Sequence, residues 1–280
     1  MSSNQQPPST SPAQQVEEPT SNPTPLSNNT LFTTLCPSYE LAFANIPARD
    51  SSLSWLLAQL AYHDTFPPHP RPWIHDALPP HLQRKRILDI GSGTGRPVCS
   101  ALAEAGHSVL GIDLCPTMVE FAKGNVASLY PDGRAEFAQA KVMGARGVNR
   151  EEGDPEGYHA VTPYFSLLAG FETRREIREV IRKVYHWFRE GGLFVFATVP
   201  MDVEGEVIEW LGKPVTVSSL SRSQVLEVVR EVGFEVEWEM TRKFAPKAVE
   251  AGILKPEEAE KAWEEEHLFV YAVKTWYPEE

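Results

Sequence analysis

The spacing of apolar residues changes along this chain, and the changes mark its elements. RILDI, residues 86–90, is a short apolar run that reads as a strand. PVCSALAEAG follows as a helix that opens with Pro97 and stops at Gly106. HSVLGID reads as a second strand, and CPTMVEFAKGNVASLY as a helix with Thr117 and Glu120 spaced as a capping box. AEFAQA and YHAVTPYFSLL read as the third and fourth strands. Over residues 173–189, Ile177, Val180, Ile181, Val184 and Phe188 form one helical stripe, which Gly191 and Gly192 end. LFVFATVP is continuously apolar, as a strand covered on both faces must be. Ser221 and Gln224 cap another helix that stops at Gly233, and FEVEWEM and LFVYAVK are the closing strands. Strands and helices in alternation predict an α/β fold, a three-layer sandwich whose open sheet is mainly parallel and doubly wound.

Ahead of this alternation lies different text. Leu53, Leu56, Leu57 and Leu60 recur at helical spacing behind the candidate caps Asp50 and Ser51, and a proline-rich connector leads to His81. Residues 31–83 therefore read as a helical preface, placed as a lid on the domain of residues 84–280. The first thirty residues are almost all Ser, Pro, Gln, Asn and Thr, which predicts a disordered tail.

Composition narrows the function classes. A hydrophobic fraction of 42% with seven tryptophans supports a sizeable core. The net charge of −12, without a basic stripe, argues against a nucleic-acid partner. No apolar run approaches the ~20 residues of a membrane span. No Lys or Arg precedes Arg49, so the start carries neither a secretory nor an organellar signature. Three cysteines without C-x-x-C spacing point away from disulfides and a metal site, and towards a reducing, cytoplasmic location. The oligomeric state is left open.

The candidate chemistry sits in the first turn, ILDIGSGTGRP. Glycines between strand and helix let backbone approach a ligand, and the helix start offers free N–H groups. Asp113 closes the second strand twenty residues after Gly93, where a carboxylate can accept hydrogen bonds from a ribose diol. The ligand should therefore contain a nucleoside. A dinucleotide fingerprint would require glycine at position 96, but the chain has Arg96, with its third glycine at Gly95.

The form D-I-G-S-G-T-G resembles the first motif of class I S-adenosylmethionine-dependent methyltransferases, and the resemblance extends over residues 84–274. ILDIGSGTGRPV and AEAGHSVLGIDLCPTMVEFA match the family's first two motifs. EGYHAVTPYFSLL and REGGLFVFATVP fall at its fourth and fifth strands, and EVGFEVEWEM with HLFVYAVK at its closing hairpin. The resemblance implies a seven-stranded sheet with the last strand antiparallel, S-adenosylmethionine as cofactor, S-adenosylhomocysteine as product and a small-molecule acceptor. It implies that Gly91, Gly93 and Gly95 line the methionine portion and that Asp113 holds the ribose. Asp89 would support the loop and reach the methionine ammonium, directly or through water. Leu114 and Met118 would touch the adenine, with Met118 equally placed as a core residue. Tyr39 matches a preface tyrosine that meets the cofactor carboxylate, and aromatic packing accounts for it as well.

Two positions depart from the pattern. The third strand ends in Gln139 and Lys141 instead of an acidic residue, so an adenine contact falls to backbone or to Gln139. His159 stands where relatives carry Asp and reads as a structural or surface residue. Thr162-Pro163-Tyr164 lacks one proline and the amide or carboxylate of the amino-group methyltransferase motif, although Tyr164 and Ser166 sit at the mouth of the site. Where the acceptor must lose a proton a base is needed; His63 with Asp64 is the first candidate, and His267 beside Glu266 the second. Tyr62, Tyr164 and Trp210 are candidates for the acceptor pocket. The competing reading is a protein that keeps fold and cofactor without transferring methyl.

Overall fold

The computed structural model describes residues 24–62, 84–143, 157–169 and 171–275. Two preface helices, α1 (Asn28–Ala42) and α2 (Pro47–Tyr62), precede the alternating elements. These are β1 (Arg86–Ile90), α3 (Val98–Glu104), β2 (Ser108–Asp113), α4 (Pro116–Asn125), β3 (Ala135–Gln139), β4 (Tyr158–Thr162), α5 (Arg174–Tyr185) and β5 (Phe188–Thr198). A hairpin, β6 (Glu206–Trp210) and β7 (Lys213–Val217), then leads to α6 (Arg222–Glu231), β8 (Phe234–Phe244) and β9 (Glu265–Lys274).

The seven-stranded sheet has the order β3-β2-β1-β4-β5-β9-β8. Pairing is parallel from β3 through to β5, and β9 runs antiparallel to both β5 and β8, as the family resemblance implies. Successive side chains of a strand point to opposite faces, and β5 supplies both cores in this way. Leu193, Val195 and Ala197 join a core shared with α1 to α4, while Phe194 and Phe196 join one with α5 and α6. That division is the three-layer sandwich. The chain order reverses between β1 and β4, and at such a point the strand ends leave a crevice for ligands.

Several boundaries differ from the sequence reading. The turn before α4 uses no capping box: Cys115 is the N-cap without a side-chain bond, Pro116 starts the helix, and the Thr117 hydroxyl bonds Thr33 of α1 at 3.1 Å. Pro116 fixes the entry one position before Thr117, which leaves Thr117 inside the first turn. The helix of residues 173–189 stops at Tyr185, and Phe188 already opens β5 opposite Tyr158. Its ring packs edge-on against Phe194 and Phe234. Phe188 continues the helical stripe only by coincidence of period, and Gly191 and Gly192 lie within β5, not at a helix end. The glutamate-rich segment 256–267, whose text suggests an exposed helix, holds one short 3-10 turn, Pro256–Lys261, before β9 begins.

The hairpin β6–β7 is absent from the sequence reading. EVIEWLGKPVTV alternates in character, and its two turn residues, Leu211 and Gly212, both take positive φ (50° and 71°), the signature of a two-residue hairpin turn. The fold also begins inside the segment assigned to the tail: Ser27 caps α1 and the Leu26 N–H donates to the Pro214 carbonyl of β7 at 2.9 Å.

Helix α5 does carry a reciprocal cap. The Thr173 hydroxyl accepts from the Glu176 N–H, and the Glu176 carboxylate accepts from the Thr173 N–H. Thr173→Ala is expected to lower stability by about 1 kcal/mol, read as a lower urea midpoint at an unchanged slope.

Candidate active site

The glycine turn lies at the sheet reversal, and the structure gives its glycines separate tasks. Gly91 takes φ +69°, and a Cβ there would stand 2.2 Å from the Ser166 Cβ, so the loop after β1 passes directly against the chain leaving β4. Gly93 also takes positive φ (+54°), but a Cβ there would meet nothing within 4 Å. Gly93 therefore faces open cavity, whereas at Gly95 a Cβ would press on the Phe137 ring at 2.8 Å. The hydroxyl oxygens of Ser92 and Ser166 are buried on the cavity wall without a hydrogen-bond partner among the described residues.

Two carboxylates frame this turn. Asp113 accepts from the Gly93 N–H through Oδ2 at 2.9 Å and from the Cys115 N–H through Oδ1 at 2.8 Å. The Leu114 N–H also favours its ionised form, and a carboxylate with about four lone-pair sites keeps acceptor capacity beyond these N–H groups. Burial raises the Asp113 pKa against the lowering effect of those N–H groups. Asp89 is 3% exposed and accepts from the Thr162 hydroxyl at 2.7 Å and the Cys99 thiol at 3.1 Å. Burial pushes it up to about 7, although both hydrogen bonds favour the ionised form.

The cavity these groups open into has a volume of about 390 Å³. The sheet supplies its floor, and the walls come from α1, the hairpin and β9. Tyr39 stacks on Phe43 with ring centroids 4.7 Å apart, and Phe43 lies 5.8 Å from the Trp210 ring. Burial pushes the Tyr39 phenol up. Tyr164 also lines the cavity, its hydroxyl 2.7 Å from Ser52 Oγ of α2, and burial raises it likewise. Leu114 and Met118 lie on the adjoining wall, Leu114 46% exposed and Met118 buried with Cys36 and Cys115. The turn glycines, Asp89, Asp113, Leu114, Met118, Tyr39, Tyr164 and Trp210 thus belong to one wall system. His63 and Asp64 lie outside the described residues, as does the side chain of Tyr62.

Three features differ from expectation or escaped it. Gln139 turns its amide to the Leu114 carbonyl at 3.2 Å, and the backbone beyond it, from Ala140 to Met143, lines the cavity. His267 pairs with Glu265 and not with Glu266: Nε2 lies 2.9 Å from Glu265 Oε2, and the Trp210 indole N–H donates to Oε1 at 2.7 Å. Successive strand residues face opposite sides, so Glu265 and His267 share the cavity face and Glu266 points away. Arg49, 13% exposed in its side chain, also enters the wall and donates to the Phe43 carbonyl at 3.0 Å. His159, by contrast, takes the Arg86 N–H at the other end of the strands, and burial with Arg189 holds it at about 3, which fits a structural role.

A family model described as a methyltransferase domain matches residues 63–238. The chain belongs to the class I S-adenosylmethionine-dependent methyltransferases. YqeM of Bacillus subtilis, whose own methyltransferase assignment is provisional, is 30% identical over 124 residues, 44% of this chain and 45% of that protein. The chain spans less than half the length of the curated relatives it matches. Among solved structures, a Methanosarcina mazei methyltransferase of this family shares 16% identity and a TM-score of 0.53, covering 73% of this chain and 99% of that one. The [4+2]-cyclase SpnF shares 15% identity and a TM-score of 0.58, covering 89% and 95%. These structural likenesses describe the methyltransferase fold. Among the described residues no helix of this methyltransferase is long and apolar enough to cross a membrane.

Proposed function

We propose that this chain transfers the methyl group of S-adenosylmethionine to an oxygen or nitrogen atom of a small-molecule acceptor, as a cytoplasmic enzyme with neither nucleic acid nor membrane as partner. The observation that carries the reading is the continuity of the glycine turn and Asp113 with one aromatic-walled cavity. The residues fit the cofactor. The Ser92 and Ser166 hydroxyls, without a hydrogen-bond partner among the described residues, and the open space before Gly93 suit its methionine portion. The remaining acceptor capacity of Asp113 suits the ribose hydroxyls, and the raised pKa of Asp89 marks a carboxylate that gains by meeting a cation such as the ammonium. In this reading Tyr39 meets the cofactor carboxylate, and Leu114 and Met118 meet the adenine.

The bound cofactor supplies a methyl group already activated on a sulfonium. What remains for the protein is alignment and exclusion of water, and fixed geometry alone supplies effective molarities of about 10⁵ M or more. Trp210, Phe43 and Tyr39 provide a packed aromatic wall to the cavity that the glycine turn also lines. Tyr164 is held by Ser52 and fixes the edge where β4 ends.

Calorimetric titration with S-adenosylmethionine, S-adenosylhomocysteine and NAD tests the cofactor. Saturable binding of both adenosyl ligands and none of NAD is expected. Asp113→Ala removes the acceptor of two ribose hydrogen bonds and should weaken binding about tenfold to a hundredfold. No adenosyl binding by the folded protein would sink the reading. The likeness in fold to a cyclase supports a second reading, in which the cofactor is bound and its methyl stays. Incubation with methyl-labelled cofactor separates the two by whether label reaches a product.

A further inference from the structure

The wall facing the glycine turn holds a polar group that alignment does not require. His267 is 1% exposed and lines the cavity, and its ring lies between the rings of Phe165 and Phe244, with centroids 4.4 Å and 5.4 Å away. Its Nε2 is engaged by Glu265 Oε2, and Nδ1 is buried with no hydrogen-bond partner among the described residues. A buried ring nitrogen left without a partner is destabilising, so its retention on a cavity wall points to a donor that arrives with the ligand. The approach is fixed from both sides. Phe165 keeps φ at +55°, an uncommon conformation for a non-glycine residue, and lies just beyond β4 in the cavity wall. Glu265 is fixed in turn by the Trp210 indole. Glu265 and His267 lie beyond residue 238, outside the segment matched by the family model.

We propose that His267 is the catalytic base of this enzyme and that the acceptor is a hydroxyl compound; the inference rests on the methyltransferase reading given above. A carboxylate that accepts from Nε2–H holds the imidazole in the tautomer whose Nδ1 is unprotonated. The hydroxyl proton passes to Nδ1 as the acceptor oxygen bonds the methyl carbon. The carbon–sulfur bond breaks with its electron pair returning to sulfur, and the thioether leaves neutral. Glu265 balances the imidazolium that results, which returns its proton to water when product leaves. Glu265 is a positioning residue in this scheme, and Trp210 positions Glu265. The charged and titratable groups around His267 are Glu265 on its own strand, the Tyr39 phenol of α1, which the Glu265 charge reaches, and Arg242 opposite on β8, whose guanidinium turns to the Thr241 carbonyl.

The experiment uses the full chain and two readouts. In protein labelled with ¹⁵N-histidine and saturated with S-adenosylhomocysteine, the signal lost in His267→Gln should show a protonated Nε2 and a free Nδ1 at neutral pH. A proton on Nδ1 would overturn the proposal. The second readout is single-turnover methylation, with labelled cofactor, of phenol and of 2,4-dinitrophenol. Phenol keeps its proton to about pH 10, as tyrosine does, whereas the dinitrophenol is already ionised at neutral pH. His267→Gln should lose about 10²-fold or more on phenol and stay within a few-fold of wild type on the dinitrophenolate. Glu265→Gln, which preserves shape should the histidine variant unfold, should show the same phenol-selective loss at smaller size. Equal losses on both phenols, no loss on either, or methylation of amines with neither phenol accepted would overturn the base and its hydroxyl acceptor. Failure of the wild type to bind S-adenosylhomocysteine would instead overturn the methyltransferase reading itself.

Discussion

Gly91→Ala is expected to destabilise the protein by about 3–5 kcal/mol, combining an overpacked contact with a strained backbone. The added methyl would fall 2.2 Å from the Ser166 Cβ, an atom one bond from the backbone that no rotamer change can move. The positive φ of Gly91 adds its own cost for any L-residue with a side chain. The clash is specific, so it should be relieved specifically: in a Ser166→Gly background the same substitution should cost about 1–2 kcal/mol less. Gly93→Ala is the control. With nothing within 4 Å of the new Cβ, it should cost only about 1 kcal/mol in stability, yet place a methyl in the space assigned to the cofactor and weaken S-adenosylhomocysteine binding. Urea melts of wild type, the three single variants and the Gly91/Ser166 double variant, with calorimetry on the Gly93 variant, measure both halves. Equal stability losses at Gly91 and Gly93 would remove the distinction between a packing glycine and a ligand-facing one.

The second large effect is on pH. An unfolded aspartate titrates near 3.8, whereas burial carries Asp89 in the folded chain to about 7. Between those values the folded state keeps a proton that the unfolded state has released. Stability therefore falls as pH rises through this window, and the loss is complete above the folded pKa. A shift of this size corresponds to at most about 4 kcal/mol, and relaxation around the carboxylate reduces it. Asp89→Asn removes the titration. Its stability relative to wild type should rise from about pH 5 to about pH 8, although the amide disturbs the bonds to Thr162 and Cys99. The check is the difference between the two proteins' urea midpoints at each pH, which cancels every other titrating group. A difference that does not change with pH would mean that Asp89 folds already ionised.

The turn after β1 was legible because all its determinants are local: three glycines, Asp89 before them and Asp113 at the end of the neighbouring strand. A seven-stranded, mainly parallel sheet with its last strand antiparallel followed from the alternation of elements together with the family resemblance. The acceptor side was not legible in the same way. Glu265 and His267 are separated by one residue, so they share a face only if the segment is a strand, and the glutamate-rich text before it reads as helix. Trp210 was expected in the pocket without its partner, because the indole–carboxylate bond spans the interval from residue 210 to 265. Phe188 misled for a different reason, since helical and strand periods coincide at its position and only the register with Tyr158 separates them. Gln139 failed by a local competitor, the Leu114 carbonyl, that no spacing rule registers.

The placement of β9 has a consequence for synthesis. This strand comes last of the seven in the chain yet lies between β5 and β8, and β8 joins the sheet only through it. A chain emerging from the ribosome therefore exposes the glycine turn, Asp89 and Asp113 long before Glu265 and His267 exist, and holds β8 without a sheet partner until β9 slides into the gap. β9 also carries Phe269 and Tyr271 into one core and Leu268, Val270 and Ala272 into the other, so a chain cut short before it is expected to leave both faces of the sheet unfilled.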